Sequence, residues 1–336
     1  MSKITVLAID LAKAVFQLHG VDERGVAVLR KQVRRNQLLS TLAQMSPCIV
    51  AMEACASAHH WARQIQSLGH TVRLIPPQYV KPFVKGNKTD RNDAEAICEA
   101  AQRPNMRFVP VKSLDQQAWL AAQRLRSLLV KSRTALMNHI RGELAEFGIV
   151  LPKGVAKLRS ALHEPKVLSQ LPALMQEVAS QMQEELRQLD ESLAQATRRI
   201  ESLARSQPAC KRLMRRDGIG VHTASALVAQ IDPTHFKNGR HLSAFIGLVP
   251  KEHSSGDRQI RLGITKRGNK ELRSLLIHGA RSALRAAPRK DDPLSRWAVQ
   301  LAARRGKHKA IVALANKMAR HAWVDLMKAR ELGNTL

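Results

Sequence analysis

Aromatic residues make up only 3% of this 336-residue chain, with a single tyrosine. Stacking of flat ligands on aromatic platforms is therefore not its main means of recognition. Long apolar runs are missing as well: none approaches the roughly 18 residues that a membrane span needs. The N-terminus has no signal-peptide core, so the expectation is a cytoplasmic protein without a membrane partner. Cysteine is sparse. Cys48, Cys55, Cys98 and Cys210 form no C-x-x-C pair and no zinc spacing with histidine, which reads as reduced thiols. Acidic residues are outnumbered, 27 against 55 Lys and Arg, giving a formal charge of +28. Such an imbalance selects polyanions as partners.

The 44% hydrophobic content supports real cores, and the length allows two or three domains. Lys and Arg outnumber Asp and Glu by 15 to 8 in residues 1–110, by 14 to 10 in 111–206 and by 26 to 9 in 207–336. The last third is thus the main electrostatic footprint. We expect domains at 1–110, 111–206 and 207–336.

In the first region, apolar runs and turn residues predict strands at 3–10, 14–21 and 25–34, a helix near 36–45, and a strand at 48–53. A helix capped by Ser57, a strand at 71–75 and a helix carrying Asp90 and Asp93 follow. Asp10 ends the first apolar run and Glu53 the fourth strand. Packing explains an acid poorly where a buried strand surfaces, because an unpaired buried carboxylate is costly. Asp90 and Asp93, spaced i, i+3, share a helix face. Four hard oxygen donors of this kind suit a shared magnesium site, the chemistry that phosphodiester cleavage needs. Lys88 and Arg91 are candidates for backbone contacts. The element order, taken with the acidic positions, resembles the ribonuclease H-like fold.

Residues 113–206 are helical and nearly free of glycine. One helix spans Leu114 to Phe147; a second carries Leu186, Leu189, Leu193, Ala196 and Ile200 at alternating steps of three and four, a heptad seam. This seam predicts self-association, with an intramolecular hairpin as the alternative. In the third region, Asp217-Gly218-Ile219-Gly220 leads into a small-residue helix, as in helix-hairpin-helix motifs. Gly218 and Gly220 would bring backbone amides to a phosphate, with Arg215 and Arg216 beside them; tight helix packing could require the same glycines. Further on, His253-Ser254-Ser255-Gly256 offers hydroxyls in a cationic loop containing Arg258, and Lys266-Arg267-Gly268-Asn269 follows. Alone, these read equally as a polar turn and a basic helix start.

Taken in order, Ala8-Ile9-Asp10, Met52-Glu53-Ala54, Lys88-Thr89-Asp90-Arg91-Asn92-Asp93-Ala94, Gly247-Leu248-Val249-Pro250, His253-Ser254-Ser255-Gly256 and Gly263-Ile264-Thr265-Lys266-Arg267-Gly268-Asn269 resemble the DEDD-motif transposases of bacterial insertion sequences. These are relatives of the Piv invertase and include RNA-guided bridge recombinases. The resemblance spans nearly the whole chain. It implies a RuvC-like N-terminal domain whose tetrad Asp10, Glu53, Asp90 and Asp93 binds two Mg2+ ions. A coiled-coil arm and a mostly α-helical transposase domain would follow. It implies a nucleophilic serine, Ser254 with Ser255 as the alternative, and nucleic-acid contacts at Arg258, Lys266 and Arg267. The implied partners are donor and target DNA, an element-encoded guide RNA, and a homodimer that assembles into a tetramer with composite sites near the nucleoid. A RuvC-like nuclease that hydrolyses junctions with water and a non-catalytic assembly protein are the rival readings.

Overall fold

Strands β1 (Val6–Asp10), β2 (Val15–Val21) and β3 (Ala27–Arg34) form an antiparallel meander. Strands β4 (Ile49–Glu53) and β5 (Thr71–Ile75) add in parallel on the other side of β1, for a sheet order β3-β2-β1-β4-β5. This computed structural model describes residues 3–86, 89–151, 153–164, 168–256 and 258–333. Lys88 lies outside the described residues, as does Asp257, which follows the serine motif.

Central strand β1 is covered on both faces, which is why it reads as an unbroken apolar run. Leu7 and Ile9 pack with Phe16, Val50 and Met52, and with Trp61 and Ile65 of α2 (Ala58–Ser67). Val6 and Ala8 face the other way, onto Ala51, Ile75 and the Ile97 and Cys98 side chains of α4 (Asp90–Ala101). Before α2 the chain forms α1 (Leu38–Ala43), and before α4 the short α3 (Pro77–Val80). This mixed sheet is compatible with a ribonuclease H-like transposase fold. Ser57 does not cap α2 through its side chain. Its backbone is left-handed at φ 69°, and the helix begins instead with its carbonyl accepting from the Trp61 N–H at 3.1 Å.

The chain divides into two compact units, 1–113 and 114–336, so the arm and the third region do not separate as expected. The reason is packing. Trp119 and Leu120 of α5 (Leu114–Glu146) and Ala204 of α7 (Ala173–Ser206) lie in the core built by the C-terminal helices. Trp119 Nε1 and Gln123 Nε2 both donate to the buried Ser225 hydroxyl, at 2.5 and 2.7 Å. Gln123 is therefore buried there, while Leu125 is exposed.

The heptad seam is filled within one chain. Leu186 packs with Met137, Ile140 and Leu144 of α5 and with Leu158 of α6 (Val155–Leu162), and Leu193, Ala196 and Ile200 of α7 are also buried. Arg133 reaches Asp190 at 3.2 Å and Arg126 reaches Thr197 at 3.0 Å, tying α5 to α7. This is the intramolecular hairpin. The remaining elements are α8 (Pro208–Met214), α9 (Val221–Gln230), α10 (Gly239–Phe245), β6 (Pro250–Glu252), β7 (Arg261–Ile264), α11 (Lys270–Ala286), α12 (Pro293–Arg305) and α13 (Lys307–Glu331). Among the described residues, no helix is long and apolar enough to cross a membrane.

Two outcomes follow from this packing. Ile140→Ala and Leu186→Ala should each lower unfolding free energy in urea by about 2–5 kcal/mol, as cavities in a filled core do. A smaller species with unchanged stability would instead return the seam to an interface between chains. Burial pushes the Cys98 and Cys210 thiols up to about 12. In mildly alkaline buffer the native protein should therefore be alkylated at exposed Cys55 first, with Cys98 and Cys210 reacting only on unfolding, as mass spectrometry would show.

Candidate catalytic carboxylates and the serine hairpin

Parallel pairing of β1 with β4 aligns Ile9 with Met52, so Asp10 and Glu53 are the next residues on adjacent strands. By alternation they share the face of Val6, Ala8, Ile49 and Ala51, the face that α4 covers. Both are half-buried. Cys55 reports their closeness independently: burial raises its thiol pKa most, and the Glu53 and Asp10 charges add to it.

Thr89 caps α4, its hydroxyl accepting from the Asn92 N–H at 3.3 Å, so Asp90 and Asp93 fall in the first turn. Acids there also suit the helix dipole. The direction of α4 follows from its other end. Gln102 lies against Gly25 in the β2–β3 turn, and Arg73 of β5 donates to the Ala101 carbonyl at 2.9 Å. That turn adjoins Val21, which pairs with Val6, so α4 runs antiparallel to β1. Its first turn therefore points toward the strand ends that carry Asp10 and Glu53. Midway, Glu95 approaches Arg30 at 4.0 Å and acts on the buried His19, opposite Ala8. Burial lowers the His19 pKa; Glu95 opposes that shift, and Arg30 and Arg91 reinforce it.

All four carboxylates thus belong to one end of one sheet face, with Asp90 exposed and Asp93 half-buried. Among the described residues, no three acidic, histidine or cysteine side chains are gathered closely enough to hold a metal ion. Carboxylate oxygens are the hard donors that divalent cations such as Mg2+ prefer.

In the second unit, β6 and β7 pair as a hairpin, with Glu252 opposite Arg261 and His253 N–H bonded to the Ile260 carbonyl at 3.0 Å. The serines lie at its tip. Ser255 and Arg258 exchange both backbone hydrogen bonds, at 3.3 and 3.2 Å. Ser254 is exposed, and its hydroxyl donates to a Glu252 carboxylate oxygen at 3.0 Å. Glu252 had no signal in the sequence beyond lying two residues before the serine.

Below the hairpin, two chain segments cross. Thr265 N–H bonds the Val249 carbonyl at 2.8 Å and Lys266 N–H bonds the Gly247 carbonyl at 3.2 Å. A Cβ on Gly268, at φ 69°, would stand 1.9 Å from the Phe245 oxygen. Arg273, buried in α11, donates from Nη1 to the Ile246 and Arg267 carbonyls at 2.8 and 2.9 Å. Asn269 caps α11 by accepting from Leu272 N–H at 3.0 Å, and its amide donates to Gln230 at 2.5 Å. Gln230 and Ser127 both donate to Glu271, at 3.3 Å each. Lys266, Arg267 and Arg258 keep exposed side chains. Sequence reading missed Arg273, although its place on the Arg273, Leu276, Ala280 stripe marks a cation on a core-facing helix face.

Helices α8 and α9 flank the Gly218–Gly220 turn. Close packing accounts for Gly218: its φ is 79°, and a Cβ would lie 2.6 Å from the Gly279 oxygen. At Gly220 a Cβ would meet nothing within 4 Å. Arg215 is exposed, but Arg216 is engaged by buried Asp325 through two bonds of 2.5 and 3.1 Å. With Arg212 and His321 they line a cleft of about 490 Å³.

Gly268→Ala should destabilise the second unit far more than Gly256→Ala. Both need positive φ, but only Gly268 meets backbone; Gly256 has open space. Thermal melting of the two variants checks this.

Comparison with known proteins bears directly on these motifs. A profile described as transposase IS116/IS110/IS902 family matches residues 210–294, and a DEDD-type IS110 transposase profile matches residues 7–149. A probable family 20 transposase of Pseudomonas aeruginosa is 48% identical over 327 residues, covering 96% of each chain. The transposase for insertion sequence element IS1111A of Coxiella burnetii is 44% identical over 333 residues, 98% of this chain and 91% of the relative. The transposase for IS1328 of Yersinia enterocolitica is 39% identical over 325 residues, 96% of this chain and 97% of its own. Similarity of this extent, with both profiles falling on the carboxylate and serine regions, places the chain in the IS116/IS110/IS902 family of insertion-sequence transposases.

Proposed function

We propose that this transposase cuts and rejoins donor and target DNA through a covalent link to Ser254, directed by an element-encoded RNA. The carboxylate arrangement carries the reading: Asp10, Glu53, Asp90 and Asp93 belong to one end of one sheet face of a RuvC-like domain. These four would hold Mg2+, which when bound neutralises phosphate charge and lowers the pKa of an oxygen nucleophile. Ser254 Oγ attacks a strand phosphorus, the phosphorus–oxygen bond to the neighbouring nucleotide breaks, and that nucleotide leaves as a hydroxyl. Glu252, hydrogen-bonded to the hydroxyl, is placed to accept its proton. The reverse attack by a different strand end restores the phosphodiester and frees the serine. No external energy is needed, because the ester bond is conserved in the protein link.

Ser254 is preferred to Ser255 because its hydroxyl already has a carboxylate partner. Scarce aromatics and the basic final third favour backbone contacts to both DNA and guide RNA, including Arg258, Lys266 and Arg267. Assembly as a dimer and then a tetramer would use surface other than the filled seam, such as exposed Leu125 and Leu128 of α5.

Denaturing gels after incubation with cognate DNA, copurified RNA and Mg2+ should show a protein–DNA adduct. It should be lost in Ser254→Ala and Asp93→Asn and greatly reduced in Glu252→Gln, while DNA binding persists. Cleavage by Ser254→Ala that releases free ends would instead make the enzyme a hydrolytic nuclease. Asp10→Asn should fold normally and leave cleavage undetectable; normal cleavage by that variant removes the metal-site assignment. Sequencing of copurified RNA, and loss of recombination after its digestion, tests the guide.

A further inference from the structure

The chain turns from α12 into α13 at Gly306, whose backbone stands at φ 85° and ψ 153°. This turn brings the last residues of one helix, Arg304 and Arg305, beside the first of the next, Lys307, His308 and Lys309. All six residues from 304 to 309 are exposed. We propose that this corner is a contact surface for the phosphate backbone of a nucleic acid.

Three observations support it. First, the charges are uncommitted: among the described residues none of the five basic groups makes an ion pair. Arg216, Lys290, Arg296 and Arg330 of the same unit each hold a carboxylate. Second, folding gives no local reason for Lys307, His308 and Lys309, whereas Arg304 and Arg305 in the last turn of α12 do suit that helix's dipole. Cations at a helix N-terminus are disfavoured, typically by about 0.3–1 kcal/mol each. Yet α13 has no acid in its first turn and no side-chain cap, whereas α11 has Asn269 and Glu271 and α12 has Asp292. Third, the corner is held in place. Ala298 of α12 and Ile311, Leu314 and Ala315 of α13 lie in the core, and Lys317 stacks over Trp297 at 3.7 Å from the ring centroid. Cations on a fixed frame lose less entropy on meeting phosphates than cations on a tail.

The corner lies beyond residue 294, outside the segments matched by both family profiles. The proposal rests on nucleic acid being the substrate of a transposase, and not on which residue is the nucleophile; its readout is equilibrium binding without cleavage. A membrane surface is the competing anion.

The test compares full-length wild type with a variant carrying Arg304→Gln, Arg305→Gln, Lys307→Gln and Lys309→Gln. A control of equal charge carries Lys157→Gln, Arg198→Gln, Arg199→Gln and Arg205→Gln. Binding is measured against salt for random-sequence duplex DNA, double-stranded RNA of the same length, and phosphatidylserine vesicles. The corner variant should lose about 2–4 units of log–log salt slope on DNA or RNA, near 0.9 per duplex phosphate contact removed, with the control losing less than about one. Loss on one polymer only names which one is held. Its melting temperature should change little, since Lys307 and Lys309 leave a helix N-terminus while Arg304 and Arg305 leave a helix C-terminus. An unchanged slope, an equal loss in the control, or a loss confined to vesicles would overturn the proposal.

Discussion

Parallel pairing of β1 with β4 is the constraint on which the first unit's chemistry depends. Hydrogen bonding in register makes Asp10 and Glu53 neighbours, and strand alternation puts them on one face. Because β1 is covered on both faces, its register cannot slip by one residue without turning Asp10 into the Leu7–Ile9 core. The cost of burying a carboxylate there protects the placement of the site. Helix α4 then needs only to run antiparallel to β1 for Asp90 and Asp93 to arrive at the same end.

The second unit solves a different problem. A hairpin that presents a hydroxyl must stand on something rigid, and here the base is a crossing of two backbone segments. Gly247 and Gly268 permit an approach that any Cβ would block, and Arg273 bridges two carbonyls left by that crossing. A buried guanidinium bound only to carbonyls is costly, and its cost is offset by charge-assisted hydrogen bonds to groups that would otherwise be unsatisfied.

Strand and helix positions in the first unit were legible because each buried strand is an apolar run stopped by a turn residue or an acid. The long helices were legible from their period, but not their partners: a heptad seam has the same pattern whether it faces α5 of its own chain or another copy. Gln123 defeats periodicity, since its burial depends on Ser225, a hundred residues away. Ser57 reads as a side-chain cap, yet a left-handed backbone made that bond unnecessary. The glycines of the helix-hairpin-helix turn look equivalent in sequence; a positive φ and the approach of Gly279 separate Gly218 from Gly220.

Antiparallel pairing at the hairpin tip also quantises the position of Ser254. The ribbon is clamped at its base by the Val249–Thr265 bond and at its tip by the Ser255–Arg258 exchange. One residue added between base and Glu252 would either be taken up as a further bulge or turn Glu252 and Ser254 together to the opposite side of the ribbon. Two would restore their side and advance them by about 6.6–6.8 Å, one strand repeat. The ribbon already carries one such irregularity between Pro250 and Glu252, where a step of two residues on β6 faces a step of three on β7, so the aim of the serine depends on that bulge as well as on the clamps.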